Sequence, residues 1–88
     1  MSRRRWQRTD GLQQRTLGQE CVVFHPGAGT THLLTPAAAA LMDGLAEGVA
    51  MDEAALARHL GLSEEDGEAE LRRWLSSLQS ADLIQERP

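Results

Sequence analysis

The stretch that decides the fold is residues 20–36, ECVVFHPGAGTTHLLTP. Its first part, Glu20–His25, holds a continuous apolar run rich in strand-favouring residues, which predicts a central strand covered on both faces. The PGAG at 26–29 predicts a tight turn, because Pro presets the first turn position and Gly supplies a positive φ. Thr30–Leu34 then predicts a returning strand, and the following Thr-Pro pair predicts a helix start.

Toward the N-terminus, the residues between Gly11 and Gly18 predict one more strand. Leu12–Thr16 lies between turn residues and completes a three-stranded antiparallel meander as an edge strand. Residues 1–11 include a run of Arg and are expected to form a flexible basic segment. The rest, residues 12–88, is too short for more than one domain.

Toward the C-terminus, three helices are expected. The first has Thr35 as its N-cap and ends at Gly48, and the second runs from Asp52 to a left-handed cap at Gly61. The third opens at residues 63–66, SEED, which have capping-box spacing and acidic residues at the positive end of the helix dipole. Its apolar stripe recurs at helical spacing over Leu71, Trp74, Leu75 and Leu78.

The element order β-β-β-α-α-α predicts an α+β domain of the winged helix-turn-helix type, a meander followed by three helices. Leu83 and Ile84 leave the last helix and are expected to tuck under the core or to add a short strand. The predicted core combines one face of the central strand with the apolar faces of the helices: Val22, Phe24, Leu41, Leu45, Leu56, Leu60, Leu71, Leu75 and Leu78.

Composition narrows the function classes. No apolar run approaches the roughly 18 residues of a membrane span, and no apolar stretch of a secretory signal follows the basic N-terminus. The single cysteine, Cys21, cannot form an internal disulfide, so a cytoplasmic protein without membrane contact is expected. The chain carries a net charge of −4, with five Arg against two acidic residues in 1–40 and four against eleven in 41–88.

DNA binding is the main alternative that the pattern raises. Residues 55–63, ALARHLGLS, resemble the first helix and turn of many bacterial transcription factors. The helix that would enter the DNA groove begins, however, with carboxylates over residues 64–70, which a phosphate backbone would repel. Nucleic acid is therefore not expected as a partner.

Metal binding and catalysis are weaker alternatives. Cys21, His25 and His32 could converge in a hairpin, but a zinc site usually has four ligands and closer cysteine pairs. Cys21 lies within an apolar strand, where a thiol stays protonated and unreactive. We therefore expect no metal, no cofactor and no enzymatic activity of the chain's own.

Taken together, residues 22–39, VVFHPGAGTTHLLTPAAA, resemble the PqqD-like peptide chaperones, also called RiPP recognition elements. The similarity is to the branch that occurs with HPr-kinase-related proteins. It covers most of the chain from Trp6 to Ile84 and is more specific over residues 22–36 than in the helices. The resemblance also accounts for the helix-turn-helix pattern, because the family shares that fold without generally reading DNA.

The resemblance implies a non-catalytic binder that captures a precursor or partner peptide and presents it to a modifying enzyme, such as an HPr-kinase-related protein. In the family the peptide adds as a strand to the third strand of the meander and lies against the third helix. The implied peptide-binding residues here are Thr30, Thr31, His32, Leu33 and Leu34 of the strand, with Arg72 and Trp74 of the helix.

The residues support strand addition independently of the resemblance. The strand Thr30–Leu34 would have a free edge, and it contains neither Lys nor Pro to block pairing with another strand. Arg72 could pair with an acidic peptide residue, whereas Trp74 could belong either to the groove or to the core. The alternative is that the N-terminal segment around Trp6, or a second copy in a homodimer, covers this edge.

Overall fold

The fold, taken from a computed structural model, is described over residues 4–45, 49–62 and 67–87. Within these ranges the chain forms three helices and two three-stranded antiparallel sheets, which confirms the α+β class. In chain order the elements are β1 (Arg5–Arg8), β2 (Gln13–Leu17), β3 (Glu20–His25), β4 (Thr30–Leu34), α1 (Pro36–Gly44), β5 (Met51–Asp52), α2 (Glu53–Leu60), α3 (Gly67–Ser80) and β6 (Ile84–Arg87).

The predicted meander is present as the sheet β2-β3-β4. Strands β3 and β4 have the predicted bounds, and β2 begins one residue later than expected. The β2–β3 loop contains Gly18 at φ 66°, and the β3–β4 turn ends at Gly29 at φ 68°, a backbone region that favours glycine. In that second turn the Gly29 N–H donates to the carbonyl of His25 at 2.8 Å.

The second sheet, in the order β5-β1-β6, corrects the prediction for the N-terminal segment. Residues 1–11 were expected to be flexible, but Arg5–Arg8 form the central strand of this sheet. Trp6 is 2% exposed and pairs with Met51 on one side and Glu86 on the other. Sequence periodicity could not show this strand, because its longer partner lies some 80 residues away and its only large apolar residue is Trp6.

The helix boundaries follow the predicted caps where the structure describes them. The Thr35 hydroxyl accepts from the Ala38 N–H, and the Asp52 carboxylate accepts from the Ala55 N–H. Gly61 ends α2 at φ 68° and ψ 28°, the left-handed cap that was predicted. Helix α1 ends at Gly44; its predicted end at Gly48, and the predicted start of the third helix at residues 63–66, lie outside the described residues.

The core lies between the helices and one face of each sheet. The predicted helix leucines are buried there, except Leu60, which is partly buried and packs against it. The prediction chose the wrong face of β3, however: Cys21 and Val23 are buried, whereas Val22 is half-buried and Phe24 is 37% exposed. Every residue from 21 to 24 is apolar, so the run has no alternation that could indicate which face is inward.

The two alternatives predicted for Leu83 and Ile84, burial under the core and a short added strand, are both present in the structure. Both side chains are fully buried, and Ile84 begins β6, which pairs with β1. The backbone reaches this position through Asp82 at φ 60°, an uncommon conformation for a residue other than glycine. Thr9 anchors the same turn, because its N–H donates to the Leu83 carbonyl and its hydroxyl donates to the Asp82 carbonyl.

Candidate functional site

The outer edge of β4 has no strand paired with it in the parts of the chain that the structure describes. β4 is the last strand in the order β2-β3-β4. Within those parts, no backbone hydrogen bond outside the sheet ladder involves residues 31–34. An unpaired strand edge presents a row of N–H and C=O groups on which another strand can add.

The strand register identifies which β4 residues direct their backbone groups to this edge. The two-residue loop between β2 and β3 closes on the pair Leu17–Glu20, and such loops close on a hydrogen-bonded pair. Hydrogen-bonded pairs alternate along antiparallel strands, so Val22 and Phe24 bond to β2 and not to β4. Their β4 neighbours, Leu33 and Thr31, therefore direct their N–H and C=O groups to the free edge.

A groove runs between this edge and α3, and we call it the β4–α3 groove. It has a volume of about 290 Å³. The inner side chains of β4, His32 and Leu34, are half-buried and lie opposite the buried Val23 and Cys21. The remaining wall comes from the start of α1, from α3 and from the turn that follows it: Thr35, Ala38, Trp74, Ser77, Leu78, Ala81 and Leu83.

The strand residues of the predicted site are all present along this edge. Thr30, Thr31 and Leu33 are exposed, and Leu33 is 65% exposed. The His32 Nε2 and the Thr30 hydroxyl are 3.0 Å apart, within hydrogen-bonding distance. The strand therefore combines exposed side chains with half-buried ones that face the groove.

The two predicted helix residues lie on different sides of α3. Trp74 lines the β4–α3 groove and also packs against the core, so both alternatives proposed for it apply. Arg72 does not line this groove; its guanidinium pairs with Glu68 at 2.7 Å, and it borders a different cavity. Two residues along a helix are about 200° apart around its axis, which is why Arg72 and Trp74 cannot face the same groove.

Several groove residues were not predicted, although their helical spacing from Trp74 could have identified them. Ser77, Leu78 and Ala81 follow Trp74 at spacings of three, four and seven, the spacing of one helix face. Ala38 of α1 could not be found in this way. It is one of four consecutive alanines, and the sequence does not indicate which of them face the groove.

The residues considered for metal binding or catalysis have structural contacts. His25 is buried; its Nδ1 accepts from the Ala28 N–H at 3.2 Å, which leaves Nε2 to donate to Asp82 Oδ2 at 3.1 Å. Cys21 is buried in the core. Over residues 4–45, 49–62 and 67–87, no group of three or more His, Cys, Asp and Glu side chains could hold a metal ion.

The face of the meander that points away from the helices carries exposed apolar side chains, and we call it the outer face. Leu17 is 63% exposed and Leu33 65%, with Phe24 and the half-buried Val22 between them. The strand register places them on one side of the sheet, across three neighbouring strands. Clustered exposed apolar residues of this kind mark surfaces that can contact another molecule.

Comparisons of the chain with protein-family models, with curated proteins and with solved structures found no match. Across the described parts of the chain, the helices are too short or too polar to cross a bilayer.

Proposed function

We propose that this chain is a non-catalytic adaptor that binds a precursor or partner peptide and presents it to a modifying enzyme. The observation that carries the proposal is the free edge of β4 beside the β4–α3 groove. An extended peptide that pairs with Thr31 and Leu33 would place alternate side chains toward the groove, between β4 and Trp74. The resemblance to PqqD-like chaperones suggests the enzyme class, such as an HPr-kinase-related protein, and a cytoplasmic location.

The expected affinity follows from the contacts that the edge offers. The outward N–H and C=O groups of Thr31 and Leu33 allow about four backbone hydrogen bonds, each contributing about 0.5–1.5 kcal/mol net. One or two apolar peptide side chains buried in the groove add about 1.5–3 kcal/mol each. Ordering the peptide offsets part of this gain, so we expect a dissociation constant on the order of micromolar.

The decisive substitution is Leu33→Pro. Proline removes the N–H that Leu33 directs to the free edge, and no hydrogen bond between β3 and β4 is lost, so an edge strand tolerates it. A peptide selected from a random displayed library would serve as the ligand, with affinity measured by fluorescence anisotropy. We expect Leu33→Pro to weaken binding at least tenfold.

Thr16→Pro is the matched control. By the same alternation, Thr16 directs its N–H to the outer edge of β2, which is the opposite edge of the same sheet. Circular dichroism establishes that both variants are folded. A folded Leu33→Pro variant with wild-type affinity, or a loss of binding in Thr16→Pro alone, would exclude strand addition at β4.

Hydrogen exchange gives a second test that needs no substitution. On peptide binding, the amides of Thr31 and Leu33 should exchange more slowly, because they become hydrogen-bonded to the peptide. The amide of Thr16 should be unchanged. Protection of Thr16 without protection of Leu33 would place the peptide on the wrong edge for this proposal.

Two alternatives to peptide binding are distinguished by simple measurements. DNA binding would give affinity for random duplex DNA that falls steeply with salt, and we expect none. A homodimer that covers the β4 edge would give a dimer mass by analytical ultracentrifugation, and Leu33→Pro would convert it to a monomer. We expect a free edge and a monomer at micromolar concentrations.

A further inference from the structure

Leu33 is, at 65%, the most exposed of the large apolar residues that the structure describes. It borders the β4–α3 groove, and the strand register places its side chain on the outer face of the meander. Val22 of β3 lies beside it on that face. In the described parts of the chain no strand lies on its other side, toward which its own N–H and C=O groups point. The uncovered flank of this leucine is therefore the flank that an added strand would occupy.

A strand added to β4 has one residue directly opposite Leu33. Directly opposite residues of neighbouring strands project from the same face of the sheet, with their Cβ atoms about 4.5–5.5 Å apart in an antiparallel pair. The side chain of that peptide residue consequently lies on the outer face beside Leu33, while the residues before and after it point toward the β4–α3 groove. Side chains alternate in the same way along a parallel strand, so this contact does not depend on the direction of the peptide.

The outward-facing residues of such a peptide meet two different side chains of β4. Thr31 is the other residue of this strand that lies on the outer face and directs its backbone groups to the free edge. Both residues are exposed, but Thr31 offers a hydroxyl and Leu33 offers methyl groups. Leu33 also has the aliphatic side chain of Val22 beside it. The peptide position opposite Leu33 therefore adjoins an aliphatic surface, and the position opposite Thr31 adjoins a polar group.

We propose that Leu33 forms an outer subsite of the peptide-binding site, which takes an aliphatic or aromatic residue of the partner peptide. The inference rests on the proposed adaptor function and adds a requirement on the peptide itself. An apolar side chain opposite Leu33 covers part of the leucine and loses water-exposed apolar surface of its own. Among apolar residues, β-branched and aromatic ones suit this position best, because they pair favourably across neighbouring strands.

The outer subsite defines the class of peptide that the adaptor binds. The residues that enter the groove are apolar, and the residue between two of them, opposite Leu33, is apolar as well. The partner is therefore an extended segment with three consecutive apolar residues, instead of one in which apolar and polar residues alternate. The central strand β3 has a pattern of the same kind, with four consecutive apolar residues from Cys21 to Phe24, and it has a strand on each side.

A charged or strongly polar residue fits the outer subsite less well. β4 contributes no charged side chain to the outer face, since its residues there are Thr31 and Leu33. An acidic or basic residue opposite Leu33 would gain no ion pair from the strand with which it pairs, and it would lose part of its hydration against the leucine methyl groups. The position opposite Thr31 carries no such cost, so polar residues are accepted there.

Selections from one random displayed peptide library, run in parallel against three proteins, test the requirement. Leu33→Thr keeps the backbone N–H and a high strand propensity, and it removes the aliphatic side chain. Leu17→Thr is the matched control, because Leu17 is 63% exposed on the same face but lies on β2, at the opposite edge of the sheet. We expect wild type and Leu17→Thr to select three consecutive apolar residues, and Leu33→Thr to select peptides whose middle residue shows no apolar preference.

A double-mutant cycle then measures the contact itself. In one peptide selected by the wild-type protein, the middle residue of the apolar run is replaced by Ser, and affinity is followed by fluorescence anisotropy. We expect the dissociation constant to rise about fivefold with wild type and with Leu17→Thr, and by less than about twofold with Leu33→Thr. Circular dichroism establishes that each variant is folded, and the comparison of the two peptides on the wild-type protein needs no variant at all.

Hydrogen exchange of the complex separates failure of this inference from failure of the function on which it rests. Protection of the Thr31 and Leu33 amides shows that the selected peptide pairs with β4. If these amides are protected but the Ser peptide binds as tightly as its parent, or loses equal affinity on wild type and Leu33→Thr, the outer subsite is excluded and the adaptor function stands. If no selected peptide protects these amides, both proposals are excluded.

Discussion

At the scale of single residues, the two valines of β3 have different environments. Val23 is fully buried against the helices, whereas Val22 is half-buried on the outer face. They are chemically identical and adjacent, so they differ only in the face of the strand from which each side chain projects. The difference places Val23 in the core and leaves Val22 beside the apolar surface that includes Leu17 and Leu33.

Substitution of each valine by alanine measures this difference. Val23→Ala should lower the free energy of unfolding by about 2–3 kcal/mol, because it removes buried methyl groups and leaves a cavity. Val22→Ala, its matched control, should cost under about 1 kcal/mol. Urea unfolding followed by circular dichroism provides both values, and equal costs would show that the outer face is covered.

The ion pair between Arg4 and Glu86 predicts a pH dependence. The hydrogen bonds from the Arg4 guanidinium lower the pKa of Glu86 below its ordinary value of 4.5, although burial opposes the shift. A carboxylate whose pKa is lower in the folded state stabilises the fold above its unfolded pKa, and this stabilisation is lost as the pH falls through the folded pKa.

We therefore expect wild type to be more stable than Glu86→Gln at pH 7, and the difference to shrink as the pH falls below 4.5 and through the lowered pKa of Glu86. Denaturation midpoints at a series of pH values give the comparison. Glu20→Gln, at an exposed position in the other sheet, is the control. A difference that grows on acidification would contradict the sign of the pKa shift.

At the scale of elements, the two flanks of α3 have different surroundings. The Trp74 side borders the β4–α3 groove, and the Arg72 side borders a different cavity, which Trp6 also lines. The sequence predicted the buried stripe of this helix, since Leu71, Leu75 and Leu78 recur at helical spacing. It did not predict which flank each of the remaining residues would occupy, because that depends on where the two sheets lie.

The left-handed cap of α2 is the local feature that the sequence predicted most directly. Gly61→Ala should destabilise the protein by about 1–2 kcal/mol, the cost of an L-residue at φ 68°. Apart from the two chain neighbours of Gly61, no atom of the residues that the structure describes lies within 4 Å of the added Cβ, so the backbone conformation sets this cost. Gly61→Asn should cost less, because Asn tolerates this backbone region. Thermal unfolding distinguishes the two variants. A larger loss of stability for Gly61→Asn than for Gly61→Ala would show that the positive φ is not the cause.

At the scale of the whole molecule, local signals predicted one sheet and missed the other. The meander has short loops, so turn residues and strand propensity were enough to predict it. In the second sheet, Trp6 pairs with Met51 and Glu86, which are far away in the sequence and give no local pattern. For the same reason the strand edge of the candidate site was predicted, whereas β1, the central strand of the second sheet, was not.

Trp6 should consequently matter more to stability than Phe24, the reverse of what the predicted core implied. Trp6→Ala should cost about 3–5 kcal/mol, a large fraction of the roughly 5–15 kcal/mol that stabilises a typical domain. Phe24→Ala, at a partly exposed position, should cost about 1 kcal/mol. Urea unfolding measures both, and a larger loss for Phe24→Ala would mean that the outer face is buried in solution.

The pairing of β1 with β6 also has a consequence for synthesis on the ribosome. The meander can form as soon as residues 13–34 have emerged, since its strands are joined by short loops. β1, by contrast, is synthesised before the meander but receives its longer partner only when residues 84–87 leave the exit tunnel. Until β6 emerges, β1 therefore lacks its longer partner strand, and a chain that stalls before β6 leaves this part of the fold open to chaperones and proteases.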